Sequence, residues 1–155
     1  MTTVHSRVVE VCAFRMQGEF PEYLLLRRAP TEPIYPGLWQ IITGTIEGEE
    51  RATDAALREL REETGQVPEQ LWVVPYTNAF YDHGRDAVSL IPFFAARYSP
   101  AVQVHLSAEH AAHAWLAFAP ARERLVWPGQ RAGLDIVHHS IVGGEDAPHL
   151  IAIPR

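Results

Sequence analysis

The stretch Gly44-Thr45-Ile46-Glu47-Gly48-Glu49-Glu50-Arg51-Ala52-Thr53-Asp54-Ala55-Ala56-Leu57-Arg58-Glu59-Leu60-Arg61-Glu62-Glu63-Thr64-Gly65 carries the most information in this chain. Ala52, Ala55, Ala56, Leu57 and Leu60 recur at helical spacings among good helix formers, which predicts a helix over residues 51–64. Gly65 stands where a left-handed residue stops a helix. Within the helix, Glu59, Glu62 and Glu63 are spaced i, i+3 and i+4, so their carboxylates share one face.

That face is costly by itself. Two unit charges ~6 Å apart repel by roughly 3 kcal/mol at an effective dielectric of 20. The acids also fall in the last turns, where the helix dipole disfavours anions. A hard divalent cation held by oxygen ligands turns the repulsion into binding, and Mg²⁺ bound by a few carboxylates together with substrate phosphates is the usual form of such a site. The competing reading of an isolated Glu-rich helix is a solvated face on which Arg58 and Arg61 make ordinary pairs.

The surrounding residues separate the two. Gly44, Glu50, Arg58, Glu59, Leu60, Glu62, Glu63 and Gly65 resemble the Nudix box: Gly, five residues, Glu, seven residues, Arg-Glu-hydrophobic-any-Glu-Glu-any-Gly, then a hydrophobic residue. Gln66 departs from the last position, and Val67 is expected to supply the apolar contact instead. The resemblance implies an α/β fold, with a mixed sheet sandwiched between helices. It implies Mg²⁺, with Mn²⁺ as a substitute, held mainly by Glu59 and Glu63. Glu62 would be a further ligand or the base that activates water, and members of the family differ in which glutamate is that base. Arg58 would orient the carboxylates, and Glu50 would pair with an arginine to hold the loop. The carbonyl just before the box glycine also ligates metal in the family, which maps onto Thr43.

Beyond the box, Ser107-Ala-Glu109-His110 followed by Trp115-Leu116 resembles a segment in which a loop glutamate completes the metal site, making Glu109 a fourth acidic candidate. His110, His138 and His139 read as surface or structural histidines. Arg27 and Arg28 end an apolar run, where a guanidinium can hold a phosphate bidentately, and Arg7 is a weaker candidate of the same kind. Trp39, Phe80, Tyr81 and Trp127 could stack on a flat base or pterin, although buried aromatics more often serve the core. Together with Thr43-Gly44, these features are similar to the branch that hydrolyses dihydroneopterin triphosphate and dATP, in which the equivalents of Arg27 and Thr43 contact substrate. The expected reaction is hydrolysis of a nucleoside or pterin triphosphate to a monophosphate and pyrophosphate. The alternatives are another diphosphate-linked substrate, such as ADP-ribose or a dinucleoside polyphosphate, and a nucleotide-sensing module without catalysis. The isomerase branch of the fold needs a catalytic cysteine, and Cys12 lies in no matching motif.

The rest of the chain reads as strands over residues 8–14, 23–26, 39–43, 71–81, 87–98 and 113–118. Helices are expected over 120–127 and 130–142, a proline-rich loop over 29–37, and a loop and tail after Gly143. At 155 residues and 47% hydrophobic content, one domain spanning 1–155 is expected. Thirteen Lys and Arg against nineteen Asp and Glu give a net charge of −6, which argues against nucleic-acid polymers as partners. A single cysteine fits a reducing cytoplasm and admits no internal disulfide. No basic leader with an apolar run and no run of ~20 apolar residues is present, so a soluble, unprocessed protein with no membrane partner is expected, as a monomer or homodimer.

Overall fold

One strand is apolar on both faces, and that sets the layering. In β2 (Val8–Gln17), Val9, Val11 and Ala13 point to one side, and Cys12 and Phe14 to the other, all of them buried. A strand of this kind needs cover above and below. The computed structural model describes residues 1–144 and 151–153.

β2 runs parallel to β7 (Ala87–Tyr98) and antiparallel to β3 (Phe20–Arg28) and β5 (Ile42–Thr45). β1 (Thr3–His5) adds to β7 in parallel, whereas β6 (Gln70–Asp82) pairs with β7 antiparallel, so the sheet is mixed. β4 (Trp39–Gln40) and β8 (His110–Leu116) both pair with β3. Residues 39–43, read as one strand, are two: β4 joins β3, and after Ile41 β5 crosses to β2.

Helix α1 (Ala52–Thr64) covers one face of the sheet, where Ala55, Ala56 and Leu60 meet Val9, Val11, Leu24, Leu26, Ile42 and Phe94. Its N-cap is Arg51, and Gly65 closes it with φ 70°, its N–H donating to the carbonyl of Arg61. α2 (Phe118–Arg124) and α3 (Pro128–Ile136) cover the other face through Ala121, Leu125 and Leu134, against Tyr23, Leu25, Ile41 and Phe93. The expected sandwich of a mixed sheet between helices is therefore observed.

Several boundaries differ from expectation. β8 begins at His110 rather than 113, because hydrogen bonding to the end of β3 extends it, and Phe118 already belongs to α2. Pro128 starts α3 instead of separating two helices; it supplies no N–H where none is needed. A π-helical segment, Val137–Val142, continues α3. Ile151–Ile153 forms β9 on the outer edge of β6, so the stretch after Gly143 is not wholly loop; residues 145–150 and 154–155 lie outside the described residues. Val67 is exposed and does not replace the apolar residue that the box wants at Gln66; the neighbouring Pro68 is buried instead. Among the described residues no helix is long and apolar enough to cross a membrane.

Candidate active site

The loop between β5 and α1 is organised by one cation. Arg58 closes a two-bond fork on Glu50, Nε to Oε1 at 3.0 Å and Nη2 to Oε2 at 3.0 Å. The same guanidinium donates to the Thr45 carbonyl at 2.7 Å, to Glu59 Oε1 at 2.9 Å and to Glu62 Oε2 at 3.2 Å. Glu50 also accepts from the backbone N–H of Glu47 at 3.1 Å and donates its own N–H to the Glu47 carbonyl at 2.9 Å. Hydrogen bonds from Arg58 hold the Glu50 carboxyl below the ordinary carboxylate range. Planar fork geometry of this kind is something a lysine cannot reproduce.

Gly44 is the other half of that arrangement. A Cβ placed there would fall onto the Glu59 carboxyl, so the acid is packed directly on the backbone of β5. Glu59 is buried, and burial raises its proton affinity against the pull of Arg58, with Glu62 and Glu63 adding repulsion.

Glu63 lies beyond the reach of Arg58 and is served from β8. Its Oε2 accepts a hydrogen bond of 2.9 Å from Ser107 Oγ and one of 2.6 Å from His110 Nδ1. Burial pushes this carboxyl up, but the hydrogen bonds, led by that of His110, outweigh it and hold the group below its usual value. Glu109 faces Glu63 closely enough to interact with it; burial first, then the charge of Glu63, raises its own proton affinity. The loop is pinned by Ala29 N–H donating to the Glu109 carbonyl at 2.9 Å, and by Glu109 N–H donating to Ser107 Oγ at 3.4 Å. Glu109 is thus brought to Glu63 of the helix. His110 is neither a surface residue nor a bystander: it is buried against Glu63.

The opposite face of β5 carries a second polar cluster that the sequence reading missed. Glu10, 1% exposed, accepts from Asn78 Nδ2 and from Gln130 Nε2, each at 2.7 Å. Gln130 in turn accepts from the Ile41 N–H at 3.3 Å and lies 3.4 Å from Thr43 Oγ1. Its signal in the sequence was a lone acid in an otherwise apolar strand, Val8-Val9-Glu10-Val11-Cys12.

The remaining candidates divide. Arg28 is engaged by the Ile34 carbonyl at 2.8 Å and by Glu32 at 3.2 Å, so here it braces the proline-rich loop. Arg27 and Arg7 are exposed and make no ion pair among the described residues. Phe80 and Tyr81 are both exposed but point to opposite faces of β6; Phe80 shares the face of Asn78, whereas the Tyr81 hydroxyl donates to Asp86 at 3.0 Å. Trp127 packs edge-on to Tyr35 at 4.9 Å, and Trp39 lies under Arg124, also at 4.9 Å. His138 has a structural role, 2.7 Å from the Tyr23 hydroxyl and stacked on Phe118. Cys12 is buried, which pushes its thiol far from nucleophilic use.

Residues 4–135 match the family model of the NUDIX domain. The chain belongs to the NUDIX family. A Myxococcus xanthus octanoyltransferase is 34% identical over 132 residues, covering 81% of this chain but only 34% of that protein. The NUDIX chain thus spans about a third of the length of that relative. Escherichia coli nucleoside triphosphatase NudI is 28% identical over 101 residues, 61% of this chain and 72% of its own. Among solved structures, a Caenorhabditis elegans Ap4A hydrolase complex aligns with a TM-score of 0.74 at 22% identity, covering 88% of this chain and 97% of its own. The E. coli dihydroneopterin triphosphate pyrophosphohydrolase aligns at 0.70 and 22%, covering 85% and 92%. Both share the fold.

The NUDIX site suits a hard divalent cation in its donor chemistry. Glu59, Glu62, Glu63 and Glu109 supply carboxylate oxygens, and burial first, then the charge of neighbouring acids, raises the proton affinity of Glu59 and Glu109. Among the described residues no three acid, His or Cys side chains are already disposed as a cage. The reason is visible: Arg58 holds one oxygen each of Glu59 and Glu62, and Glu63 is tied through Oε2.

Proposed function

We propose that this NUDIX chain acts as one domain, residues 1–155, that hydrolyses a nucleoside or pterin triphosphate in a Mg²⁺-dependent reaction, releasing a monophosphate and pyrophosphate. The observation that carries the reading is the set of glutamates Glu59, Glu62, Glu63 and Glu109 gathered from α1 and the β8 loop, each tied on one side by a donor of the protein or raised in proton affinity by burial and then by its neighbours.

Glu59, Glu63 and Glu109 would hold the metal, with Glu62 and the Thr43 carbonyl as further ligands. Bound there, Mg²⁺ supplies neutralisation of phosphate oxygens and acidification of water. Arg58 keeps Glu59 Oε1 and Glu62 Oε2 in place, so each carboxylate keeps one oxygen that Arg58 does not hold. One of these two accepts the proton of the attacking water. Glu50 fixes Arg58, and through it the loop that follows Gly44. Arg27, exposed at the end of β3 and unpaired, binds phosphate, assisted by Arg7; Arg28 supports the loop beside it. Thr43, beside Gln130, and Phe80, beside Asn78, line the face on which a flat base or pterin would stack.

The preference for triphosphates draws on the likeness to NudI and on the Thr43-Gly44 and Leu26-Arg27 pattern. A pyrophosphate-release screen with and without Mg²⁺ tests it, across dNTPs, NTPs, dihydroneopterin triphosphate, ADP-ribose, sugar nucleotides and dinucleoside polyphosphates. The highest turnover is expected on a triphosphate, with Glu63→Gln lowering kcat by about 100-fold or more on an intact fold. Turnover confined to ADP-ribose or dinucleoside polyphosphates replaces the substrate class, and uniform inactivity favours a nucleotide-sensing module.

A further inference from the structure

We propose that His110, held between Gln40 and Glu63, is the positioning residue that fixes Oε2 of Glu63 on the protein side, so that the carboxylate meets the metal through Oε1. The inference rests on the reading of Glu63 as a metal-holding carboxylate.

Three buried polar side chains stand in a row. Gln40 Nε2 lies 3.4 Å from His110 Nε2, and His110 Nδ1 lies 2.6 Å from Glu63 Oε2. An amide nitrogen only donates, so the ring nitrogen facing it accepts and carries no proton. The remaining proton sits on Nδ1 and is directed at Glu63.

The strand register brings these groups together. β3 places Gln40 of β4 opposite Leu26 and His110 of β8 opposite Arg28, two positions apart on one strand. Gln40 and His110 are each 7% exposed and Glu63 is 3% exposed, so water does not compete for these bonds. Ser107 Oγ donates to the same Oε2 at 2.9 Å. Two donors on Oε2 leave Oε1 to ligate, on a carboxylate that Glu109 also faces, and a ring that orients a ligand through its own hydrogen bond is a recurrent device of metal sites. Arg58 cannot substitute, since its donors go to Glu50, Glu59, Glu62 and Thr45.

The test uses the full chain labelled with ¹⁵N. Long-range ¹H–¹⁵N correlations are expected to show a proton on His110 Nδ1, the nitrogen that faces Glu63; an Nδ1 without a proton overturns the proposal. Mn²⁺ titration followed by electron paramagnetic resonance provides the second readout. His110→Phe is expected to weaken Mn²⁺ binding by about 10- to 100-fold. His110→Asn, which retains an N–H donor, is expected to stay within about threefold of wild type. Should the phenylalanine variant fail to fold, Gln40→Leu replaces it, with a shift of the ring toward Nε2–H and weaker Mn²⁺ binding expected. A wild type that binds Mn²⁺ beside an unaffected His110→Phe overturns the role of His110 alone. A wild type that binds no Mn²⁺ overturns the metal reading of the site and the role of His110 with it.

Discussion

The carboxyl of Glu59 rests directly on the Cα of Gly44, with no space between them for a methyl group. The strand that precedes the loop therefore positions the first of the three clustered helix glutamates. Gly44→Ala should displace Glu59 while leaving both cores intact. Turnover is expected to fall about 100-fold, as for a misplaced reacting group. Steady-state kinetics alongside circular dichroism checks this, and wild-type kcat in a folded Gly44→Ala protein would remove Glu59 from the chemistry.

Arg58 is the shared partner of Glu50, Glu59 and Glu62. Arg58→Ala leaves three acids facing one another without a cation, and a loss of about 1–3 kcal/mol in stability is expected, more than for a single exposed pair because the fork and network are removed together. Arg58→Lys should recover only part, since a point charge cannot close the fork on Glu50. Urea denaturation of the metal-free proteins measures both; equal stability of all three would show the network to be ornamental.

Glu10 is buried between two amides, with no cation beside it among the described residues, and burial raises its proton affinity above the unfolded value of 4.5. A carboxyl raised on folding contributes stability that is fully present below its unfolded pKa and lost as pH rises through the folded one. Wild type should therefore lose stability relative to Glu10→Gln between pH 4.5 and neutrality and above. Denaturation series at pH 5 and pH 8 report the difference, and a gap that does not grow with pH would contradict it.

Gly65 ends α1 at φ 70°, and a Cβ there would also approach the His105 side chain. Gly65→Ala should cost about 1–2 kcal/mol, from the left-handed backbone and the tight contact together. Because Glu62 and Glu63 stand in the last turn, the same change should weaken Mg²⁺ dependence of turnover; thermal melts and a Mg²⁺ titration check the two effects. A melting temperature equal to that of wild type would argue against strain at this cap.

Much of the site was legible because it is local. Glu50, Arg58, Glu59, Glu62 and Glu63 lie within fourteen consecutive positions of a loop and helix, so spacing alone fixes which side chains meet. The strand cores were legible for the same reason, through apolar runs in β2 and β3. His110 and Glu10 were not. Their partners are 47 and 120 residues away, Glu63 and Gln130, and nothing in a histidine after an acid or an acid between valines announces such a contact.

The amino-acid order by itself determined the helix, its stop at Gly65, the acidic face and the family to which the chain belongs, since these depend on interactions within a few residues. Tertiary structure decided which donors each acid receives. Pairing of β3 with β4 and β8 sets Gln40 against His110, which in turn meets Glu63, and packing of α3 on the sheet sets Gln130 against Glu10. Register across strands and the seat of a helix on a sheet are properties of the whole core, and the proton positions at the site follow from them.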